Sequence, residues 1–324
     1  MGMTVFFTEK TMAKENLIEY LKKKAKTNSD EYEEFDISID DVSIELLRLV
    51  QCVSCSLDIA MKYEVKEEGA QKPILLFDKK KYSKKAALLN DSGVVFGFLM
   101  DYCKENGDSL RSFRDRLDFA LSLYPNHIFF PQLEKDTGVP KPTGTFNTID
   151  AKAARDLAFA TSVFYSYGRA VPWFLSVLKA LKMNSTAFLA DFAEWQRVDN
   201  CAYGSFDPTT SDHEEIEKMQ LVFLRQKFEE KHKEHIFSAV EDIVRLNGAF
   251  SRVISDDEER LIETTYNPDD LLSPEAFDLA RFVESSVMQS CQVAVFAGED
   301  GPDYIALIGT ILARKAGRLQ GLSS

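Results

Sequence analysis

The chain has 324 residues, of which 45% are apolar, enough to bury a substantial core in one large domain or two lobes. Its 39 Lys and Arg against 52 Asp and Glu give a net charge of −13, which excludes a uniformly basic nucleic-acid coat but leaves room for a local basic groove. The 24 Phe and 11 Tyr exclude an intrinsically disordered chain.

In chain order, residues 11–26 read as a short amphipathic helix, with Met12, Leu17, Ile18 and Leu21 on one side and Lys22, Lys23 and Lys24 beyond. Asp40 and Asp41 open a second helix through Ile44, Leu47 and Val50, their carboxylates facing the positive helix end. Residues 111–124 give the clearest amphipathic helix, because Phe113, Leu117, Ala120, Leu121 and Tyr124 share one face. The segment from Pro125 to Thr148 holds four prolines and two glycines, so residues 131–148 are read as a link. Asp150 then caps a helix through Leu157, Phe164 and Tyr167; Pro172 interrupts it, and further helices run through Trp173–Leu181 and Phe188–Phe192. Asp212 with Glu215 forms a capping box for a long charged helix ending near Asn247-Gly248, and Ser273-Pro274 marks another start. Ile305, Ile308, Ile311 and Leu312 form the stripe of a terminal helix, while Thr4–Phe7 and Ile74–Phe77 are the best strand signals. The expected fold is therefore mainly α, a two-lobed helical protein with an N-terminal helical arm and little β-structure. Its expected parts are an arm (1–34), an N-terminal helical lobe with a basic groove (35–130), the link (131–148) and an acidic C-terminal helical lobe (149–324).

Motifs for catalysis are missing: no phosphate-binding Gly-Lys-Ser/Thr loop, no dinucleotide fingerprint, no nucleophile elbow and no paired-histidine zinc site occurs. Cys52 and Cys55 have the spacing of a metal knuckle, but no second ligand pair follows, so they read as structural thiols. His232 and His235 lie in a solvated charged stretch. No enzyme, metal or cofactor is expected, and the absence of an 18-residue apolar run excludes a membrane-spanning helix. The opening residues lack the pattern of a secretory leader.

The most informative feature is a basic cluster. Lys62, Lys66, Lys72, Lys79, Lys80, Lys81, Lys84 and Lys85 face only four acidic residues in the same stretch, with Tyr63, Phe77 and Tyr82 interleaved. Arg111, Arg114 and Arg116 follow, and Arg155 and Arg169 stand among Phe159, Tyr165, Tyr167 and Trp173. Lysines neutralise phosphates and release counterions, and exposed rings stack on unpaired bases. An aromatic stripe at helical spacing is nonetheless more often core, and a lysine run is often only a solvated face.

Three stretches in order resemble the nucleocapsid proteins of tenuiviruses and phleboviruses. They are Phe35-Asp36 with Val42 to Leu47, Asp58 to Tyr63, and Arg116-Leu117 through Leu123-Tyr124-Pro125-Asn126-His127, together spanning roughly residues 30–130. The resemblance implies a two-lobed helical protein that encapsidates single-stranded RNA non-specifically in a basic groove and assembles into rings or filaments. Lys62 and Lys66 would be the first groove residues, and the Met12–Leu21 stripe would dock on the next protomer. It also implies the host cytoplasm and virion as location, with a viral polymerase as a further candidate partner. The competing reading is a cellular helical adaptor that binds a basic partner through its acidic C-terminal half.

Overall fold

In a computed structural model, residues 14–27, 31–62, 64–66, 74–103, 108–134, 141–198, 206–299 and 301–308 are described, in two compact units divided between Ser162 and Val163. With 57% helix and 15% strand, the fold is an α/β mixture, which corrects the expectation of little β-structure.

The first unit is organised by four parallel strands, β1 (Glu33–Ser38), β2 (Cys55–Ala60), β5 (Phe96–Leu99) and β6 (His127–Phe129), adjacent in that order. A two-stranded antiparallel ribbon, β3 (Glu64–Lys66) and β4 (Ile74–Leu76), is inserted after β2. Parallel neighbours require crossovers, supplied here by α2 (Ile44–Val50), α3 (Lys79–Asp91) and α4 (Leu110–Leu121). Strands laid down in chain order with crossovers of one hand place those helices on one face. Ring contacts agree: Tyr20 of α1 (Lys14–Thr27) meets Phe35, Tyr82 of α3 meets Phe98, and Phe113 of α4 meets Phe130. That face is apolar, with Phe35, Leu57 and Phe96 in one row and Ile37, Ile59, Phe98 and Ile128 in the next.

Local chemistry fixes the helix starts. Ser43 caps α2, Asp78 accepts the Lys81 N–H at the start of α3, and Ser109 forms a reciprocal box with Ser112 at α4. The N-terminal helix is no free arm, because α1 packs on α2 with Leu17 and Leu21 fully buried. Ile18 is half-buried, and Met12 lies outside the described residues. Beyond the proline-rich segment, α5 (Pro131–Glu134) and α4 both contact α6 (Thr148–Thr161), so this part of the chain belongs to the first unit.

The second unit begins with a π-helical turn completed by Tyr167, whose freed carbonyls are satisfied from outside the turn. Gln220 donates to the carbonyls of Phe164 and Gly168. Its helices are α7 (Phe174–Leu181), α8 (Ser185–Val198), α9 (His213–Glu230), α10 (Phe237–Asp256), α11 (Pro268–Leu271) and α12 (Leu279–Ser285). Phe164, Phe188, Phe192 and Phe223 form its aromatic centre.

The long charged helix expected over 212–247 is two helices, broken where His232 takes a left-handed conformation. Gly248 stops nothing: it lies inside α10, where a Cβ would sit 1.8 Å from Glu217 of α9. The expected terminal helix is also corrected. Ile305 and Ile308 lie on β9 (Gly301–Ile308), antiparallel to β8 (Cys291–Gly298), which pairs with β7 (Arg260–Thr264); Ile311 and Leu312 lie outside the described residues, as do residues 4–7.

Candidate functional site at the carboxyl edge of the parallel sheet

The basic residues singled out from the sequence meet different fates. Lys62, directly after β2, is exposed, as are Lys79, Lys80 and Lys84 on α3 and Arg111 and Arg114 on α4. The two helices are neighbours, since Phe77 and the ammonium of Lys79 both reach the ring of Phe119. Lys81 pairs with Asp40 at 2.9 Å, and Lys85 donates to the carbonyl of Val42, which ties α3 to the start of α2. Lys72 and the side chain of Lys66 lie outside the described residues.

Three arginines differ from these in burial and partners. Arg116, only 4% exposed, donates to the carbonyls of Met61 and Asp101 and stands 4.0 Å from Asp108; it is a structural tie. Arg155 is half-buried on α6, where its charge acts on the buried hydroxyl of Tyr102. Arg169, in the second unit, makes two hydrogen bonds to Asp256, at 2.8 and 3.0 Å. Among the rings, Tyr165 and Trp173 are core, Phe159 is half-buried and Tyr167 is exposed. Cys52 is exposed and Cys55 is buried, its thiol pushed by burial to about 11.

Several of the exposed cations singled out from the sequence stand near one edge. Each crossover helix begins where a strand ends, so the amino-terminal ends of α3 and α4 stand at the carboxyl edge of the sheet. Neither helix carries an acidic residue in its first turn; α3 carries Lys79, Lys80 and Lys81 there, and α4 carries Arg111. A cation at a helix N-terminus opposes the helix dipole by about 0.3–1 kcal/mol, only partly relieved for α3 by the Asp78 cap. Such a local conflict with helix-forming rules is expected at functional positions.

The sheet face turned away from the helices is polar, which is unusual for parallel strands. Glu34 and Ser56 are register partners on it, and Asp36, Asp58, Gly97 and His127 form the next row. The imidazole of His127 crosses over Gly97 and its Nε2 lies 2.6 Å from Oδ1 of Asp58, whose side chain is 7% exposed. Gly97 permits this, since a Cβ there would lie 2.2 Å from Nε2. Burial alone would lower the His127 pKa, but the hydrogen bond and charge of Asp58, with Glu34 behind, raise it above the ordinary imidazole value. Burial, reinforced by Asp58, raises that of Glu34. The dyad was not recognised from sequence; an aspartate inside the apolar run Leu57-Asp58-Ile59 and a glycine inside Phe96-Gly97-Phe98 were its only signals.

At the carboxyl edge this polar face opens into a pocket of about 390 Å³. Asp36, Asp40, Asp78, Asp101, Lys62 and Lys81 are among the residues that line it. Ile37, Ile39, Ala60, Leu99 and Pro131 form apolar walls. Tyr82 locks the floor, donating to the carbonyl of Ala60 and accepting from the N–H of Lys62. The pocket lies outside the carboxyl ends of the strands; the strands follow chain order, so the sheet has no topological switch point there.

Among the described residues, no three His, Cys, Asp or Glu side chains form a group that could hold a metal ion. No helix among them is long and apolar enough to cross a membrane. No known family model matches the chain, and no curated protein matches it in sequence, so the resemblance to tenuivirus and phlebovirus nucleocapsids rests on the quoted residues alone.

Proposed function

We propose that the first unit binds single-stranded RNA at the carboxyl edge of its parallel sheet, through Lys62 and the cationic amino-terminal halves of α3 and α4. The observation that carries this reading is the replacement of acids by lysine and arginine in the first turns of two neighbouring helices, in a chain of net charge −13. Those cations oppose helix formation locally and favour a bound polyanion, because phosphates collect both the side-chain charge and the helix-end amides. The acidic remainder of the chain repels RNA elsewhere and limits binding to this edge.

The reading is confined to RNA binding. Encapsidation with self-assembly would require a surface for the next protomer, and the stripe singled out for that task has Leu17 and Leu21 buried within its own unit. The test is a binding titration with a fluorescent oligouridylate. Reversing Lys80→Glu and Lys84→Glu together, both on exposed positions, should weaken binding strongly while the circular dichroism spectrum stays unchanged. Equal affinity of wild type and the double variant would refute the assignment.

A further inference from the structure

The two faces of the antiparallel sheet in the second unit differ. Cys291, Val293 and Val295 of β8 are buried, and β7, β8 and β9 all contact α10, whose Phe250 meets the ring of Tyr304. Alternate residues point the other way. Leu261, Ala294 and Ile305 are register partners across β7, β8 and β9, so they form one row on that outer face. Leu261 is 63% exposed and Ile305 55%, with half-buried Phe296 two residues along β8. An antiparallel sheet with one solvated face ordinarily sets polar side chains there. A lone exposed leucine needs no explanation, but apolar residues adjacent on three strands mark an interaction surface.

The charge on this face selects its occupant. Exposed Glu263 stands in the row on one side of Ala294, paired with Gln292, and exposed Asp303 in the row on the other side, paired with Phe296. Among the described residues the outer face carries these two acids and no base. A second copy apposed through the same face would therefore set carboxylates against carboxylates. The complement is a segment that is apolar along one side and basic otherwise. Residues 309–324, outside the described residues, have that sequence and continue directly from β9, an edge strand of this sheet. Leu312, Ala316 and Leu319 recur at the spacing of one helix face, Arg314, Lys315 and Arg318 are the charged residues, and no acid occurs. Tethering to β9 gives the segment an effective concentration on the order of millimolar at this face, so even weak docking is populated.

We infer that the outer face of the β7–β8–β9 sheet is the docking site for residues 309–324 of the same chain. Leu312 and Leu319 cover the row Leu261–Ala294–Ile305, and the cations of the segment meet the field of Glu263 and Asp303.

The basic residues of the segment make it its own reporter, because trypsin cuts after Arg314, Lys315 and Arg318. The experiment follows those cuts in the full chain by intact-mass spectrometry, under conditions where cleavage tracks the population of the undocked form. The double variant Leu261→Glu/Ile305→Glu, both on exposed positions, should speed them at least about tenfold, the factor that burial of one leucine-sized side chain is worth. Cleavage at the exposed lysines of α3 should stay the same. Leu312→Ser/Leu319→Ser should produce an equal acceleration with the sheet untouched, which keeps the test decisive if the first variant fails to fold. Equal rates in wild type and variants would overturn the proposal. Acceleration by one pair and not by the other, with both folded, places the segment elsewhere and overturns it as well. Protection that vanishes on dilution, together with a dimer in light scattering, assigns the face to a second copy and overturns docking within one chain.

Discussion

Replacing Gly97 by alanine puts the polar-face geometry to a quantitative test. A Cβ at position 97 would lie 2.2, 2.4 and 2.6 Å from Nε2, Cδ2 and Cε1 of His127, so the imidazole must leave Asp58. Asp58, 7% exposed, then loses the partner that holds it at 2.6 Å. A buried acceptor left without its charged donor costs about 1–3 kcal/mol, and alanine returns roughly 0.4–1 kcal/mol by restricting the unfolded chain. The expected net destabilisation is about 1 kcal/mol. Native-state hydrogen exchange on peptides covering residues 55–60 and 96–99 reads it locally. In a His127→Ala background the obstacle is gone, so Gly97→Ala should be neutral or slightly stabilising there. The same cost in both backgrounds would refute the account of Gly97. A pH dependence accompanies the dyad. Because the folded-state pKa of His127 is raised, its stabilisation is complete below the unfolded value of about 6.5 and is lost as pH rises through the folded one. The difference between wild type and His127→Ala should therefore be larger near about pH 6 than near about pH 9.

Asp242 is buried and accepts the N–H groups of Thr265 and Tyr266; burial outweighs those bonds and raises its pKa to about 6. The folded state keeps this proton after the unfolded state has lost it, so wild-type stability should fall between about pH 4 and 6 relative to Asp242→Asn, as measured by denaturation at stepped pH. Gly248→Ala should force apart Glu217 and Arg252, buried and paired at 2.8 Å, and cost about 3 kcal/mol, read as a lowered melting temperature. Leu21→Ala should cost about 2–5 kcal/mol of stability with no change in oligomeric state by light scattering; loss of an oligomer at unchanged stability would restore the arm.

The helices were legible where a strong cap coincided with a clean apolar period. The helix expected over 111–124 is α4, Leu110–Leu121, and Asp212 caps α9 by accepting from the Glu214 N–H rather than through a box with Glu215. The parallel sheet was not legible, because its strands are three to six residues long and only Glu33–Ser38 alternates: Cys55–Ala60 is buried nearly throughout, and His127–Phe129 has no room for a pattern. Buried short strands and buried helix turns look alike in composition, so the apolar runs of these strands are not assigned from sequence. Gly248 misled for a related reason, since a glycine required for close approach of two helices reads in sequence as a stop. At the site, the exposed lysines of α3 were visible as a charge run, whereas Arg116 was not separable from them until its carbonyl partners were known. His127 and Asp58 are 69 residues apart and meet only through the register of the sheet.

The central claim is that phosphates replace counterions at the basic edge. Lys62, Lys79, Lys80, Lys84, Arg111 and Arg114 are the exposed cations available there, and each phosphate neutralised on a single strand contributes about 0.7 to the salt slope. The dissociation constant for oligouridylate, measured by anisotropy over a series of salt concentrations, should give a plot of log affinity against log salt with a slope reaching about −4 if all six take part. Lys80→Glu with Lys84→Glu should flatten it. A slope near zero, or no binding at the lowest salt, would contradict the account.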